Sequence, residues 1–167
     1  DPDRYVLEYP HSTAAECVRT VRTNLLFMTP GRPLRKLLVT SAGPREGKTS
    51  TSVNVAASMA TSGTKVLLID TDLRRPRIHR VFDMTNDRGL SNLVLEPEKP
   101  LDQVVQVSDV ENLDILCSGP IPPNPAELLH SPSFNRVMER LLERYDRIIL
   151  DSPPVCVVTD ALILGNQ

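Results

Sequence analysis

The segment KLLVTSAGPREGKT, residues 36–49, joins an apolar run to a loop that contains Gly43 and Gly47. The run predicts a short buried strand over residues 36–41, and a helix is expected from about Lys48 to Thr61, with Gly63 ending it. Consecutive backbone N–H groups in such a loop, with the N-terminus of a helix behind them, form a cradle for phosphate oxygens. The segment therefore predicts a phosphate-binding edge in an α/β protein.

Residues 42–49 fit the P-loop pattern, with Ala42 in the first glycine position. The pattern predicts that Lys48 reaches the β- and γ-phosphates of a nucleotide and that the Thr49 hydroxyl binds magnesium. The alternative is a glycine-containing turn that only precedes a helix, but the strand on one side and the helix on the other favour the nucleotide site. The residues expected to bind ATP or ADP are Gly43, Pro44, Arg45, Glu46, Gly47, Lys48, Thr49 and Ser50.

Two further apolar strands end in acidic residues. The strand over residues 65–70 ends at Asp70, with Asp72 close behind, and the strand over residues 147–151 ends at Asp151. The helix from Lys48 runs roughly 20 Å away from the loop and the next strand returns about as far, so these carboxylates are expected beside the loop. One strand-end Asp often only caps a loop, whereas three near a P-loop predict a Mg²⁺ site. Its expected ligands are Thr49, Asp70, Asp72 and Asp151.

The rest of the chain repeats the alternation of apolar strands and helices. A strand is expected over residues 113–117, and helices over residues 13–28, 89–95 and 132–145 and from about residue 159. This order predicts an α/β fold with a doubly wound, mostly parallel sheet and helices on both faces. Residues 1–11 are expected to form a linker and residues 12–167 the domain, which we expect to be incomplete at its C-terminus because four strands are few for such a sheet.

Composition narrows the possible partners. The 167 residues are 40% hydrophobic and carry a net charge of −2, which argues against a general binder of nucleic acids or of anionic membranes. No apolar run approaches the roughly 20 residues that span a bilayer. Cys17, Cys117 and Cys156 are widely spaced, which suits reduced thiols in a cytoplasm.

Besides the P-loop, four segments are distinctive: LLIDTDLRRP (67–76), GLSNLVLEP (89–97), GPIPPNPAELL (119–129) and ILDSPP (149–154). Together with the P-loop they resemble the bacterial tyrosine kinases (BY-kinases) of capsule and exopolysaccharide export, a P-loop NTPase family, over nearly the whole chain. The resemblance implies transfer of the γ-phosphoryl group of ATP to tyrosine, with Mg²⁺. It implies Lys48, Asp70 and Asp72 as catalytic residues, one of the two aspartates assisting deprotonation of the tyrosine hydroxyl. The family's C-terminal tyrosine cluster is missing from this sequence, and Arg45 stands where many relatives have glycine.

The first long helix carries a further match. Glu16, Arg19 and Arg22 fit the family's E-x2-R-x2-R motif, which implies an interface that joins subunits into a ring and allows phosphorylation in trans. The alternative is a solvated helix face with a simple i, i+3 ion pair. Val18, Val21, Leu25 and Met28 form the apolar stripe expected to pack on the domain.

The resemblance also implies that the partner is a membrane-anchored polysaccharide co-polymerase segment, in the same chain or in another protein. It implies no nucleic-acid partner. It implies a location at the cytoplasmic face of the bacterial inner membrane.

The basic run of Arg74, Arg75, Arg77 and Arg80 is either a solvated loop or a binding site for phosphates or for an acidic substrate tail.

Other functions on the same fold stay open. Partitioning and septum-site ATPases place a signature lysine five residues before the P-loop lysine, where this chain has Gly43, and this absence argues against them. A switch ATPase that modifies no tyrosine and an inactive ring scaffold that regulates polysaccharide chain length are the two remaining alternatives.

Overall fold

The computed structural model describes residues 2–28, 31, 33–156 and 158–165. Short 3-10 turns lie at Pro2–Arg4 and Leu101–Gln103. The helices and strands in chain order are α1 (Tyr5–Glu8), α2 (Thr13–Phe27), β1 (Lys36–Val39), α3 (Lys48–Ala60), β2 (Val66–Asp70), α4 (Ile78–Val81), α5 (Leu90–Leu95), β3 (Gln106–Val107), β4 (Leu113–Leu116), α6 (Pro125–Leu129), α7 (Pro132–Arg144), β5 (Arg147–Asp151) and α8 (Asp160–Gly165).

The strands form one sheet in the order β1-β5-β2-β4-β3. The pairs β1–β5, β5–β2 and β2–β4 are parallel, and β3 adds an antiparallel edge. The prediction of a mostly parallel α/β sheet is therefore confirmed. Because Asp151 pairs with Val39 on one side and with Asp70 on the other, the carboxyl ends of three strands lie in one row.

Alternating side chains of the strands enter two separate cores. Leu67, Ile69 and Ile148 pack with buried residues of α5 and α7, whereas Val66 and Leu68 pack with buried residues of α3. The helices therefore cover both faces, as predicted. Asp70 and Asp151 continue the α3 side of this period-two pattern, so both carboxylates start on the face that carries the P-loop helix.

The N-terminal segment differs from the predicted linker. Residues 2–8 are helical and pack on α3: Val6 is buried, and its backbone N–H donates to Asn54 Oδ1 at 3.0 Å. The buried Val6 and the half-buried Leu7 face the domain, and they pack on residues far along the chain, so periodicity could not reveal the packing. Residues 1, 29, 30, 32, 157, 166 and 167 of the predicted ranges lie outside the described residues.

Three short elements were also not predicted. They are β3, α4 and α6, which are two, four and five residues long. Elements of this length are shorter than one repeat of a reliable periodic pattern. Over the described ranges, no helix is both long and apolar enough to span a membrane.

Candidate active site

The loop between β1 and α3 adopts the conformation that its glycines allow. Gly47 has φ +83 and precedes α3 directly, and Arg45 also takes a left-handed conformation, with φ +64. The Ser41 hydroxyl donates to the carbonyl of Gly43 at 2.7 Å, and the Gly43 N–H donates to Glu46 Oε2 at 3.0 Å. The loop is thus closed by its own side chains at the N-terminal end of α3.

Lys48 and Thr49, the first two residues of α3, each meet one of the predicted acidic residues. Lys48 Nζ lies 3.4 Å from Asp72 Oδ2. The Thr49 hydroxyl donates to Asp151 Oδ2 at 2.7 Å, and the Ser52 hydroxyl donates to the other oxygen of Asp151 at 3.0 Å. The structure therefore brings Lys48, Thr49, Asp72 and Asp151 together, as the sequence predicted.

Asp151 is almost fully buried, and burial raises the pKa of its carboxyl group. The positive charge of Lys48 and the two hydroxyl donors act in the opposite direction on this pKa. Ser52 was not predicted as part of the site, although it lies three residues after Thr49 and therefore on the same helix face.

Asp70 is placed differently from the other acidic residues. Its side chain is fully buried, and its two oxygens accept hydrogen bonds from the backbone N–H groups of Asp72, Arg77 and Ile78 at 3.2, 2.9 and 2.9 Å. Burial and the neighbouring charge of Asp151 raise the pKa of Asp70 to about 7, although the backbone donors favour the ionised form. Asp70 thus shapes the loop after β2, and its oxygens do not point freely into the cleft as the predicted catalytic and metal roles require.

The described residues contain no group of three His, Cys, Asp or Glu side chains arranged to hold a metal ion by themselves. The three predicted carboxylates therefore do not form a complete metal-binding site by themselves. Instead, the hydroxyls of Thr49 and Ser52 contact Asp151, and the carboxylate of Asp72 contacts Lys48.

Lys48, Thr49 and Asp72 line a cleft of about 670 Å³ at the carboxyl edge of the sheet, and the buried Asp151 adjoins it through its bond with Thr49. One part of its lining is the P-loop and the start of α3, and another is the loop after β5 with Pro153 and Pro154. The loop after β2 contributes Asp72 and the four arginines of the basic run. A parallel α/β sheet binds ligands at this edge.

Two ion pairs that the sequence did not predict tie the basic loop to the rest of the domain. Arg74 binds both oxygens of the fully buried Asp160, at 3.0 and 3.1 Å. Arg77 lies 2.5 Å from the buried carboxylate of Asp3, which also accepts from the Ser50 hydroxyl. Both acidic partners are more than 70 residues away in sequence, so no local pattern could have identified them.

The predicted interface residues lie on two different sides of α2. Glu16 and Arg19 form an exposed ion pair at 2.5 Å, whereas Arg22 donates to the carbonyl oxygen of Ser58 in α3 at 2.8 Å. The predicted apolar stripe is only partly right, because Val21 and Met28 are exposed. The inward face consists of Ala15, Val18, Arg22 and Leu25.

The chain matches an AAA-domain family over residues 45–166. It is 45% identical over 157 residues to the tyrosine-protein kinase YwqD of Bacillus subtilis, covering 94% of this chain and 66% of that protein. It is 41% identical over 162 residues to the putative tyrosine-protein kinase CapB of Staphylococcus aureus, covering 97% of this chain and 71% of that protein. It spans only 22% of the longer tyrosine-protein kinase etk of Escherichia coli.

Solved structures agree with these matches. The chimerical protein CapA2B2 superposes with a TM-score of 0.93 at 38% identity, covering 98% of this chain and 72% of that one. The kinase domain of the Escherichia coli tyrosine kinase ETK superposes with a TM-score of 0.89 at 36% identity, covering 96% of this chain and 63% of that one. The septum site-determining protein MinD of Pyrococcus horikoshii, at 23% identity and a TM-score of 0.61 over 78% of this chain and 53% of its own, shares the fold. The chain belongs to the family of bacterial tyrosine-protein kinases.

Proposed function

We propose that this chain is the kinase domain of a protein-tyrosine kinase that uses ATP and Mg²⁺ and regulates capsule or exopolysaccharide biosynthesis and export. The observation that carries the proposal is that Lys48, Asp72 and Thr49 share one cleft beside the P-loop, where Lys48 pairs with Asp72 and Thr49 binds the buried Asp151. The names of the related kinases supply the reaction class, and the capsule and exopolysaccharide role follows from the resemblance of the sequence.

The residues of the cleft fit a nucleotide with magnesium. Mg²⁺ keeps several waters and is usually held by one or two carboxylates together with phosphate oxygens, so it does not need a cage of protein ligands. Thr49, Asp72 and Asp151 offer hard oxygen atoms of this kind, and Lys48 offers a positive charge for phosphate. When bound, ATP supplies the phosphoryl group and Mg²⁺ neutralises its charge.

The side chains then have separate roles. Lys48 and the loop N–H groups hold and orient the phosphates, and the Asp151 carboxylate fixes the Thr49 hydroxyl as its hydrogen-bond acceptor. Asp72 lies in the cleft beside Lys48 and accepts the proton of the tyrosine hydroxyl. Asp70 acts as a positioning residue that holds the loop carrying Asp72.

We also propose that the protein works as a ring of identical subunits that phosphorylate one another. Glu16 and Arg19 are the exposed part of the interface motif, and a head-to-tail contact that repeats with a closing rotation produces a ring. The proposed partner is a membrane-anchored polysaccharide co-polymerase segment at the cytoplasmic face of the inner membrane. It belongs either to the same chain or to another protein.

Phosphotyrosine mass spectrometry of the full-length protein, incubated with ATP and Mg²⁺, tests the kinase function. We expect Lys48→Met to abolish phosphotyrosine while the far-ultraviolet circular dichroism stays unchanged, because the lysine contributes charge to the cleft and not to the core. Glu143→Gln, an exposed change on α7, is the control and should keep full activity. Full activity in Lys48→Met would contradict the proposal, and ATP hydrolysis without phosphotyrosine would favour a switch ATPase.

A further inference from the structure

A second cleft, of about 630 Å³, adjoins the first and shares its four arginines. We call it the arginine cleft and define it by Arg75, Arg77 and Arg80 together with the loop 119–121. Within the described part of the chain, no acidic side chain lines it. The positive charge is local, because the whole chain has a net charge of −2.

The arginines differ in whether their charge is already neutralised. Arg74 is bound by Asp160 and Arg77 by Asp3, as described above. Arg75 and Arg80 are exposed, and their guanidinium groups form no ion pair or hydrogen bond with any described residue. Two positive charges are therefore available to a ligand at the border between the two clefts.

The shape and the lining of the arginine cleft favour a polypeptide over a small anion. A volume of about 630 Å³ lies in the range of sites that take ligands of several hundred daltons, far larger than one phosphate. Pro120 and Ile121 add apolar surface to its lining, and the Ile121 side chain is 62% exposed. A segment with both apolar and acidic side chains complements these two parts.

We propose that the arginine cleft binds an acidic segment of the polypeptide that carries the substrate tyrosine, with Arg75 and Arg80 contacting its carboxylates. The proposal rests on the proposed kinase function and deepens it to a substrate class. A tyrosine side chain is uncharged before phosphoryl transfer, so arginines beside the active site recognise the residues that flank it. Exposed ion pairs contribute modestly one by one, and two of them distinguish acidic from neutral flanks.

The binding test uses two fluorescent peptides that contain one tyrosine, flanked by glutamates in one peptide and by glutamines in the other. Fluorescence anisotropy with the wild-type chain should show about tenfold tighter binding of the glutamate peptide, and the preference should shrink at high salt. Arg75→Gln/Arg80→Gln should remove the preference, and Arg88→Gln, an exposed arginine outside both clefts, should keep it. An unchanged preference in the double variant overturns the proposal.

Steady-state kinetics of the full-length protein separates this proposal from the kinase function. Arg75→Gln/Arg80→Gln should raise KM for the glutamate peptide about tenfold and remove the difference in KM between the two peptides. Phosphorylation of both peptides with equal KM in all variants would overturn the arginine-cleft proposal and leave the kinase function standing. Arginine-dependent binding of the glutamate peptide without any phosphotyrosine would overturn the kinase function and leave the arginine cleft standing as a binding site for acidic peptides. A loss of ATP affinity would assign the arginines to the nucleotide and overturn the proposal.

Discussion

The ion pair between Arg74 and Asp160 joins the loop after β2 to the N-terminal end of α8. The Asp160 side chain has no exposed surface, whereas the Arg74 side chain is 41% exposed. Both carboxylate oxygens are bound by the same guanidinium group, at 3.0 and 3.1 Å. The two removals should therefore have unequal effects on stability. Loss of Arg74 leaves Asp160 as a buried, unpaired charge, whereas loss of the Asp160 charge leaves Arg74 partly exposed to water.

Arg74→Met should lower the free energy of unfolding more than Asp160→Asn. Removal of one partner of a buried pair costs about 3–5 kcal/mol, and access of water through the exposed side of Arg74 should reduce this to about 2–3 kcal/mol. In Asp160→Asn the remaining arginine stays in water, so we expect a loss of about 1 kcal/mol. In the double variant the buried charge is gone, so its loss should be smaller than the sum of the single losses.

Urea unfolding followed by circular dichroism measures these differences, and Arg74→Met should also lower Tm by about 4–12 °C. The control is Arg136→Met, which breaks a pair with Glu98 whose side chains are 63% and 76% exposed. Such a pair contributes about 0–0.5 kcal/mol. The reasoning is refuted if Arg74→Met costs no more than the control, or if the two single losses add without coupling.

Three other predictions test separate parts of the structure. Asp151→Asn should lower magnesium-dependent turnover about 10- to 100-fold in a steady-state assay, because the partner of the Thr49 hydroxyl loses its charge; turnover near wild type would argue against its role. Tyr145→Phe removes the 2.6 Å hydrogen bond to Asp114 and should cost about 1 kcal/mol in urea unfolding, and no measurable loss would show that water replaces the bond. Arg22→Ala should lower Tm because it removes the hydrogen bond from the Arg22 side chain to the Ser58 carbonyl of α3. Glu16→Ala should leave Tm unchanged and reduce the mass of a full-length oligomer in light scattering. An unchanged mass would make Glu16 part of an ordinary solvated face.

Local patterns predicted the elements that are long enough to repeat. Apolar runs identified β1, β2, β4 and β5, and helical spacing identified α2, α3 and α7. The P-loop and the strand-end acids predicted that Asp72 and Asp151 lie beside Lys48 and Thr49, because strand length and helix length fix where each strand ends. The same reasoning did not predict that backbone N–H groups occupy the oxygens of Asp70. Contacts that depend on distant loops were not predictable, since the partners of Arg74 and Arg77 lie 86 and 74 residues away.

The α2 stripe shows a different limit of sequence reasoning. An apolar residue at helical spacing was assumed to face the domain, yet Val21 is 46% exposed while the charged Arg22 faces α3. The surface of α3 that α2 packs against includes the carbonyl oxygen of Ser58, to which an arginine side chain can donate a hydrogen bond and a valine cannot. The chemistry of the opposing surface, which no local pattern contains, decided the rotation of the helix.

Asp70 and Asp151 occupy paired positions at the ends of adjacent strands, yet their different hydrogen-bond donors suit them to different tasks. The donors to Asp151 are two side-chain hydroxyls, which rotate and can exchange partners when a ligand arrives. The donors to Asp70 are backbone N–H groups, which keep their positions as long as the loop keeps its conformation. The loop after β2 is therefore fixed through Asp70, through the bond from the Arg75 N–H to Asp72 and through the Arg74–Asp160 pair. A loop that is already ordered loses little conformational freedom when its exposed arginines bind a ligand, which favours the arginine cleft as a binding surface.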